Sequence, residues 1–281
     1  MKAFVIAAAL ALVALAPTAA AQAQPQAGAP LDWRVLDPEN TWVIETSKGT
    51  VVVELLPDLA PAHVARIKEL TRKGFYDGLV FHRVIGDFMA QTGDPKGDGS
   101  GGSELPDIAG EFTFRRTAGA PFKMVATARG ISTGFVGPLP VITHSDDVLM
   151  LSATPSVEAW GAFCPGVVGM ARQATPNSAN SQFYLMRGTE HFLDKQYTAF
   201  GYIVAGLDVA RSLQVGEPPA NPDRMVRVRI AADMPEAERP RLEVMDTRGP
   251  SFHALVTAAM QRRGAEFDIC DVQVPSRPRA G

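Results

Sequence analysis

The stretch Phe81-His82-Arg83-Val84-Ile85, followed by Phe88-Met89-Ala90-Gln91-Thr92-Gly93-Asp94, is the most informative part of this sequence. It sets an arginine in a strand-like apolar run, with two large apolar side chains and an amide shortly after it. Because arginine keeps its proton in proteins, Arg83 is a fixed cation with directed donors and not a general base. The pattern suits a site that binds an apolar group and donates a hydrogen bond to a neighbouring polar atom. The alternative is a strand arginine that only faces solvent.

A second block of motifs favours the functional interpretation. It comprises Met170-Ala171-Arg172, the run from Asn177 to Tyr184, Phe192-Leu193-Asp194 and Phe200-Gly201. Together the two blocks resemble the cyclophilin family of peptidyl-prolyl isomerases, from about Thr41 to about Asp233. Each motif alone is weak, but Phe-His-Arg, Phe-Met-x-Gln and the later Ser-Gln-Phe are specific in combination.

The resemblance implies a catalytic role for Arg83, as the donor to the twisted X-Pro bond. It also implies a set of substrate-binding residues: Phe88, Met89, Tyr184 and Leu193 for the proline pocket, Gln91 and Gln182 as orienting amides, Ala171 and Arg172 for backbone pairing with the peptide, and Phe192 and Tyr197 beside them. Phe192 and Tyr197 stand where many eukaryotic members carry Trp and His. Tyr184 stands where Phe is usual, and its hydroxyl needs a partner if it is buried.

The fold predicted from the chain is mainly β. Two β-rich runs, 41–46 and 50–55, flank Ser47-Lys48-Gly49 and indicate a hairpin. A helical pattern begins at Pro61 and ends before Gly74, and 207–213 fits a second short helix. Further short runs with glycine turns indicate a barrel. The resemblance implies the same architecture: a closed eight-stranded antiparallel barrel capped by two helices.

Two additions extend this domain, which we place at 35–234. The stretch 113–165 is longer than the family usually needs and is interpreted as an insertion, with possible strands at 122–127 and 148–152. Residues 235–281 form a C-terminal extension, predicted as a small α+β unit. Its expected elements are a strand at 242–245, a helix capped by Ser251 and ended by Gly264, and a strand at 267–274.

The N-terminus has the pattern of an export signal. Lys2 precedes an apolar stretch that is too short to span a bilayer comfortably, and Ala-x-Ala sites follow at 19–21 and 21–23. We therefore expect a signal peptide at 1–23, a flexible leader at 24–34 and a periplasmic location. No stable membrane association is expected after signal removal. The alternative is an uncleaved membrane anchor.

Export bears on the two cysteines, Cys164 and Cys270. They form no Cys-x-x-Cys motif, which leaves a metal or thioredoxin-like site unsupported. In an oxidising compartment two cysteines can pair, and each of these lies in an addition. We predict a disulfide between them, with two separate buried thiols as the alternative.

The remaining features set limits on partners and cofactors. Net charge is -3 with no long basic run, so nothing favours nucleic acid. The five histidines show no metal spacing, and the Gly-rich stretch 97–102 lacks the lysine of a phosphate loop. No metal or cofactor is expected, and the partners are proline-containing segments of unfolded or partly folded proteins. The competing hypothesis is a non-catalytic cyclophilin-like domain that binds such segments as a chaperone.

Overall fold

The computed structural model describes residues 32–279, so the predicted signal peptide at 1–23 lies outside the described residues. The strands, numbered in chain order, are β1 (Trp33–Val35), β2 (Thr41–Thr46), β3 (Gly49–Leu55), β4 (Arg83–Val84), β5 (Met89–Thr92), β6 (Phe114–Thr117), β7 (Phe122–Ala128), β8 (Ile131–Val136), β9 (Leu139–His144), β10 (Ser156–Gly161), β11 (Val167–Met170), β12 (Phe183–Met186), β13 (Ala199–Ala205), β14 (Met225–Ile230), β15 (Leu242–Met245) and β16 (Ser276–Pro278). The α-helices are α1 (Pro61–Arg72), α2 (Asp146–Leu151), α3 (Leu207–Ser212) and α4 (Pro250–Arg263).

The central element is a curled eight-stranded sheet in the order β14-β2-β3-β13-β11-β12-β5-β4. Every neighbouring pair in it is antiparallel. Its interior is built on the buried aromatic rings of Trp42, Phe183 and Phe200, and α1 adds Ile67 and Leu70 to the same core. The predicted hairpin and both predicted helices of the barrel are confirmed.

The barrel is open along one seam, so the prediction of a closed barrel was wrong. In the described residues no ladder joins the edge strands β4 and β14. The seam between them is crossed only by isolated bridges from residues beside these strands, at Val80–Arg224 and Val84–Gly216. The physical reason is local. Strand β4 has only two residues, and the loop that faces it contains three prolines, which have no N–H to donate: Pro218, Pro219 and Pro222.

The inserted segment forms a second antiparallel sheet in the order β6-β10-β9-β8-β7. The strand expected at 122–127 is present as β7. The prediction of a strand at 148–152 was wrong, because α2 occupies this stretch up to Leu151 and Ser152 follows it. Asp146 and Asp147 lie in the first turn of α2, where negative charge stabilises the helix dipole, and Asp146 bonds Arg116 at 2.8 Å.

The C-terminal extension contributes β15, β16 and α4. Its two strands join β1 from the N-terminal end of the chain in a three-stranded sheet, in the order β1-β15-β16. The end of the predicted flexible leader is therefore ordered: Trp33 and Arg34 belong to β1, and the Arg277 guanidinium lies 4.1 Å from the centre of the Trp33 ring. Strand β15 and α4 match the predicted elements, although Gly249 rather than Ser251 occupies the N-cap.

The strand expected at 267–274 was wrong, because a 3-10 turn, Ile269–Asp271, interrupts it. Asp268 and Asp271 form a capping box around this turn, which satisfies backbone donors that a strand would leave to a neighbour. Strand β16 follows only afterwards.

Cys164 and Cys270 are joined in a disulfide, with Cα atoms 5.0 Å apart. The bond connects the end of the insertion with the extension. The two additions also share apolar packing, since Phe135 and Phe252 meet edge to face at 5.0 Å. None of the helices between residues 32 and 279 has both the length and the apolar character needed to cross a membrane.

Candidate functional site

Arg83 lies at the edge of the barrel sheet, directly across from Gln91 on the neighbouring strand. One of its terminal nitrogens, Nη1, approaches Gln91 Oε1 at 3.5 Å. Gln91 in turn donates from Nε2 to Gln182 Oε1 at 2.8 Å. Gln182 then donates to the carbonyl oxygens of Gly99 and Gly101 at 3.0 and 2.7 Å. The Gly-rich loop thereby serves as an anchor for a chain of amides that ends at the arginine.

The arginine has a second partner that sequence reasoning missed. Arg83 Nε donates to Glu217 Oε2 at 2.6 Å. Glu217 lies on the loop between α3 and β14, and this loop is held beside β4 by two backbone bonds between Val84 and Gly216, of 2.8 and 2.9 Å. The two side chains are 42% and 52% exposed, so the pair is weak in energy and serves mainly to orient the guanidinium. No motif signals a partner 134 positions away.

A cavity of about 240 Å³ lies beside Arg83. Of the eleven predicted site residues, ten line this cavity: Arg83, Phe88, Met89, Gln91, Ala171, Arg172, Tyr184, Phe192, Leu193 and Tyr197. The eleventh, Gln182, lines the adjacent cavity of about 500 Å³ together with Gln91, Ala171 and Arg172. The structure therefore brings residues from separate sequence blocks to one place. A cation stands at the rim of a space whose lining residues are mostly apolar or aromatic.

Tyr184 forms a wall of the cavity, and its hydroxyl is buried without a hydrogen-bond partner in the part of the chain that the structure describes. The ring lies against Gly169, where an added Cβ would come within 2.6 Å of the phenolic oxygen. A glycine beneath the ring therefore leaves room for the extra atom. Burial raises the pKa of Tyr184 well above its ordinary value, so the hydroxyl stays protonated.

Phe192 and Leu193 belong to a 3-10 turn, His191–Leu193, at the outer edge of the cavity. Leu193 is buried, whereas Phe192 is 62% exposed and its ring centre lies 6.0 Å from that of Phe88. Phe192 thus lies at the exposed edge of the cavity rather than in its floor.

Arg172 is held away from the cavity centre. Its guanidinium lies over the Tyr197 ring at 4.6 Å and over the Phe112 ring at 5.5 Å, and Nε donates to the Gln196 carbonyl at 3.0 Å. Arg172 therefore extends an aromatic surface, as cation–π contacts do. Arg83 Nε and Nη1 bond Glu217 and Gln91, and its Nη2 makes no hydrogen bond within the part of the chain that the structure describes, so its donors remain available to a ligand.

The fold and this site define a class of protein: a curled β-barrel with a cavity beside a fixed hydrogen-bond donor. Residues 41–232 match the family described as "Cyclophilin type peptidyl-prolyl cis-trans isomerase/CLD". The chain therefore belongs to the cyclophilin-type peptidyl-prolyl cis-trans isomerases, and it is an enzyme that isomerises X-Pro bonds.

Relatives and solved structures agree with this assignment. A "Probable peptidyl-prolyl cis-trans isomerase" of Brucella suis is 38% identical over 213 residues, which cover 70% of this chain and 85% of that protein. A "Peptidyl-prolyl cis-trans isomerase-like 1" of Rhizopus delemar is 31% identical, covering 65% and 84%. The crystal structure of cyclophilin AquaCyp293 from Hirschia baltica superposes with a TM-score of 0.80 at 39% identity, covering 89% of this chain and 95% of that one.

Proposed function

We propose that this isomerase acts on proline-containing segments of unfolded or partly folded exported proteins, and that Arg83 is its catalytic residue. Rotation about an X-Pro bond faces a barrier of about 18–20 kcal/mol because the amide is conjugated. As the bond twists, the proline nitrogen loses conjugation and becomes a better hydrogen-bond acceptor. A donor aimed at the twisted bond stabilises the transition state more than either planar state, and this difference accelerates the step.

The observation that carries the mechanism is the position of Arg83 at the rim of the apolar cavity. Phe88, Met89 and Leu193 contribute apolar walls that suit a proline ring. Gln91 and Glu217 hold the guanidinium from two sides, so the arginine is oriented before substrate arrives. Among the described residues that line the cavity there is no carboxylate or histidine. This suits a reaction that makes and breaks no covalent bond and therefore needs no proton transfer.

The exported context rests on the N-terminal signal pattern, and the disulfide supports it because such bonds persist in oxidising compartments. If the signal is cleaved at one of its two Ala-x-Ala sites, the periplasmic protein begins at Gln22 or Gln24. N-terminal sequencing of the protein recovered from a periplasmic extract tests this. Recovery of the intact N-terminus in the membrane fraction would favour the uncleaved anchor.

An isomerisation assay on a short proline peptide, run beside a binding measurement on the same peptide, tests the activity and its mechanism. We expect faster cis–trans exchange with wild-type protein, and retained binding with lost catalysis in Arg83→Ala. Binding without any catalysis by wild-type protein would favour the chaperone hypothesis.

A further inference from the structure

The 3-10 turn His191–Leu193 carries one wall of the cavity, yet it has little internal support. Its internal backbone bonds are Leu193 N to Glu190 O at 3.2 Å and Asp194 N to His191 O at 3.1 Å, and Leu193 O also accepts from Gln196 N at 2.9 Å and Tyr197 N at 3.1 Å just after the turn. Such short turns have poorer hydrogen-bond geometry than an α-helix. The position of Phe192 and Leu193 therefore depends on contacts made from outside the turn.

The segment at Phe163 supplies the first of these contacts. Glu190 N donates to Phe163 O at 2.9 Å before the turn, and Phe163 N donates to Asp194 Oδ1 at 2.9 Å after it. Phe163 is fully buried, and its ring centre lies 6.1 Å from that of Tyr184. One residue thus bonds both ends of the turn and contacts a second wall of the cavity.

The C-terminal extension supplies further contacts to the turn and to the Phe163 segment. Cys270 is bonded to Cys164, the residue after Phe163. Asp268 Oδ2 lies 3.2 Å from His191 Nε2, while Asp194 Oδ2 lies 2.9 Å from the other ring nitrogen. Asp268 and Cys270 are also joined to each other, since Asp268 Oδ1 accepts from Cys270 N at 2.8 Å. One capped element of the extension therefore makes two links: Asp268 contacts His191 in the turn, and Cys270 is bonded to Cys164 in the segment that supports the turn.

We propose that Asp268 and Cys270 are positioning residues for the isomerase reaction, through which the extension holds Phe192 and Leu193 against the cavity. The proposal rests on the proposed role of this cavity as the proline site. A wall that is already ordered spares the peptide the entropic cost of ordering it on binding. The extension therefore contributes to substrate affinity, while Arg83 contributes to the rate of the bound complex.

The first test is Asp268→Asn in the purified protein. Asparagine keeps an acceptor oxygen for Cys270 N but removes the charge opposite His191. We expect the KM for a proline peptide to rise about two- to fivefold, the range of an exposed ion pair, with kcat nearly unchanged. The matched control is Arg248→Gln, which removes the 2.7 Å Arg248–Asp246 pair elsewhere in the same extension, and we expect it to leave KM unchanged.

A second variant, with Cys164→Ala and Cys270→Ala together, removes the covalent link and should raise KM further at a temperature where it remains folded by circular dichroism. Hydrogen exchange gives an independent readout: the amides of Leu193 and Asp194 should exchange faster in Asp268→Asn and not in Arg248→Gln. Unchanged KM and exchange in both Asp268→Asn and the double variant would overturn the proposal, as would an equal KM rise in the control.

Arg83→Ala, measured alongside, separates this proposal from the proposed catalytic role of Arg83. Wild-type kcat in Arg83→Ala would contradict the catalytic role and leave the role of the extension to be judged from KM.

Discussion

The two sides of the cavity are supported in different ways. The polar side consists of Arg83 and Gln91, which face each other across neighbouring strands of the barrel. The apolar outer side consists of Phe192 and Leu193, which lie on a three-residue turn. The barrel ladder holds the first side, whereas the insertion and the extension help to hold the second.

This difference shows that the additions are continuous with the site. Tyr184 and Leu193 share one apolar core with Phe135 of the insertion and Phe252 of the extension. A second core, inside the barrel, contains Trp42 and the other central aromatic rings. We infer that the donor side is self-sufficient within the barrel, while the apolar outer side depends on parts of the chain outside the barrel.

The strongest test of the polar side is Arg83→Ala. Loss of one well-aimed donor should cost about 2.7–4 kcal/mol of transition-state stabilisation, a hundredfold to thousandfold in kcat, with peptide binding little changed. Arg83→Lys should also fail, because a flexible point charge cannot reproduce the planar fork of donors. Single-turnover exchange measurements on a proline peptide check both variants. If Arg83→Ala isomerises the peptide as fast as the wild type, the polar side has no catalytic role that distinguishes it from the apolar side.

The disulfide tests the apolar side through stability. Replacing both Cys164 and Cys270 by Ala should lower the free energy of unfolding by about 2–4 kcal/mol, because the crosslink restricts the unfolded chain. Denaturant unfolding with and without a reducing agent measures this, and the reducing agent should affect only the wild type. Two free thiols titrated in unreduced, denatured wild-type protein would contradict the bond.

Tyr184→Phe should stabilise the protein, by about 1 kcal/mol, since it removes a buried hydroxyl that has no partner among the described residues. The matched control is Tyr76→Phe, which should destabilise by a similar amount because Tyr76 donates to Ser181 O at 3.1 Å. Thermal unfolding of the two variants gives opposite signs if the hydroxyl of Tyr184 is indeed unpaired. A loss of stability in Tyr184→Phe would indicate a hydrogen bond at that hydroxyl.

The smallest effect concerns Glu217. Glu217→Ala should lower kcat about two- to fivefold, because Arg83 loses an orienting partner in an exposed pair, and Glu217→Gln should fall between it and the wild type. The matched control is Glu39→Ala, which removes the 2.8 Å pair between Glu39 and Arg72. This pair has similar exposure and lies outside the cavity lining, so its loss should leave kcat unchanged. A rise in kcat on removing Glu217 would show that this carboxylate restrains the arginine instead of orienting it.

Much of the barrel could be predicted because its signals are local. Two β-rich runs split by Ser47-Lys48-Gly49 define the β2–β3 hairpin, and Pro61 and Gly74 bound the first helix. Two errors in strand prediction fell where acidic side chains favour a turn or a helix over a strand. Asp268 and Asp271 cap a turn inside an apolar stretch that otherwise has the composition of a strand, and acidic residues begin a helix at Asp146.

The site divides along the same line. Arg83, Gln91 and the apolar residues near them follow from motif spacing, because a short strand pair brings residues eight positions apart face to face. Gln182 and the other residues of the second block required the family resemblance. Glu217 had no signal in the sequence, since only the loop that faces β4 brings it to the arginine.

The sequence alone determined the mainly β architecture, because periodicity acts between near neighbours, and its resemblance to a known family singled out the arginine and the residues around it. The tertiary structure decided what supports them: the open seam at β4, the glycine beneath Tyr184, the carboxylate beside Arg83 and the contact of Asp268 with His191. These contacts join segments up to 134 positions apart. Their energies depend on geometry that exists only after the chain has folded, and for that reason no local pattern records them.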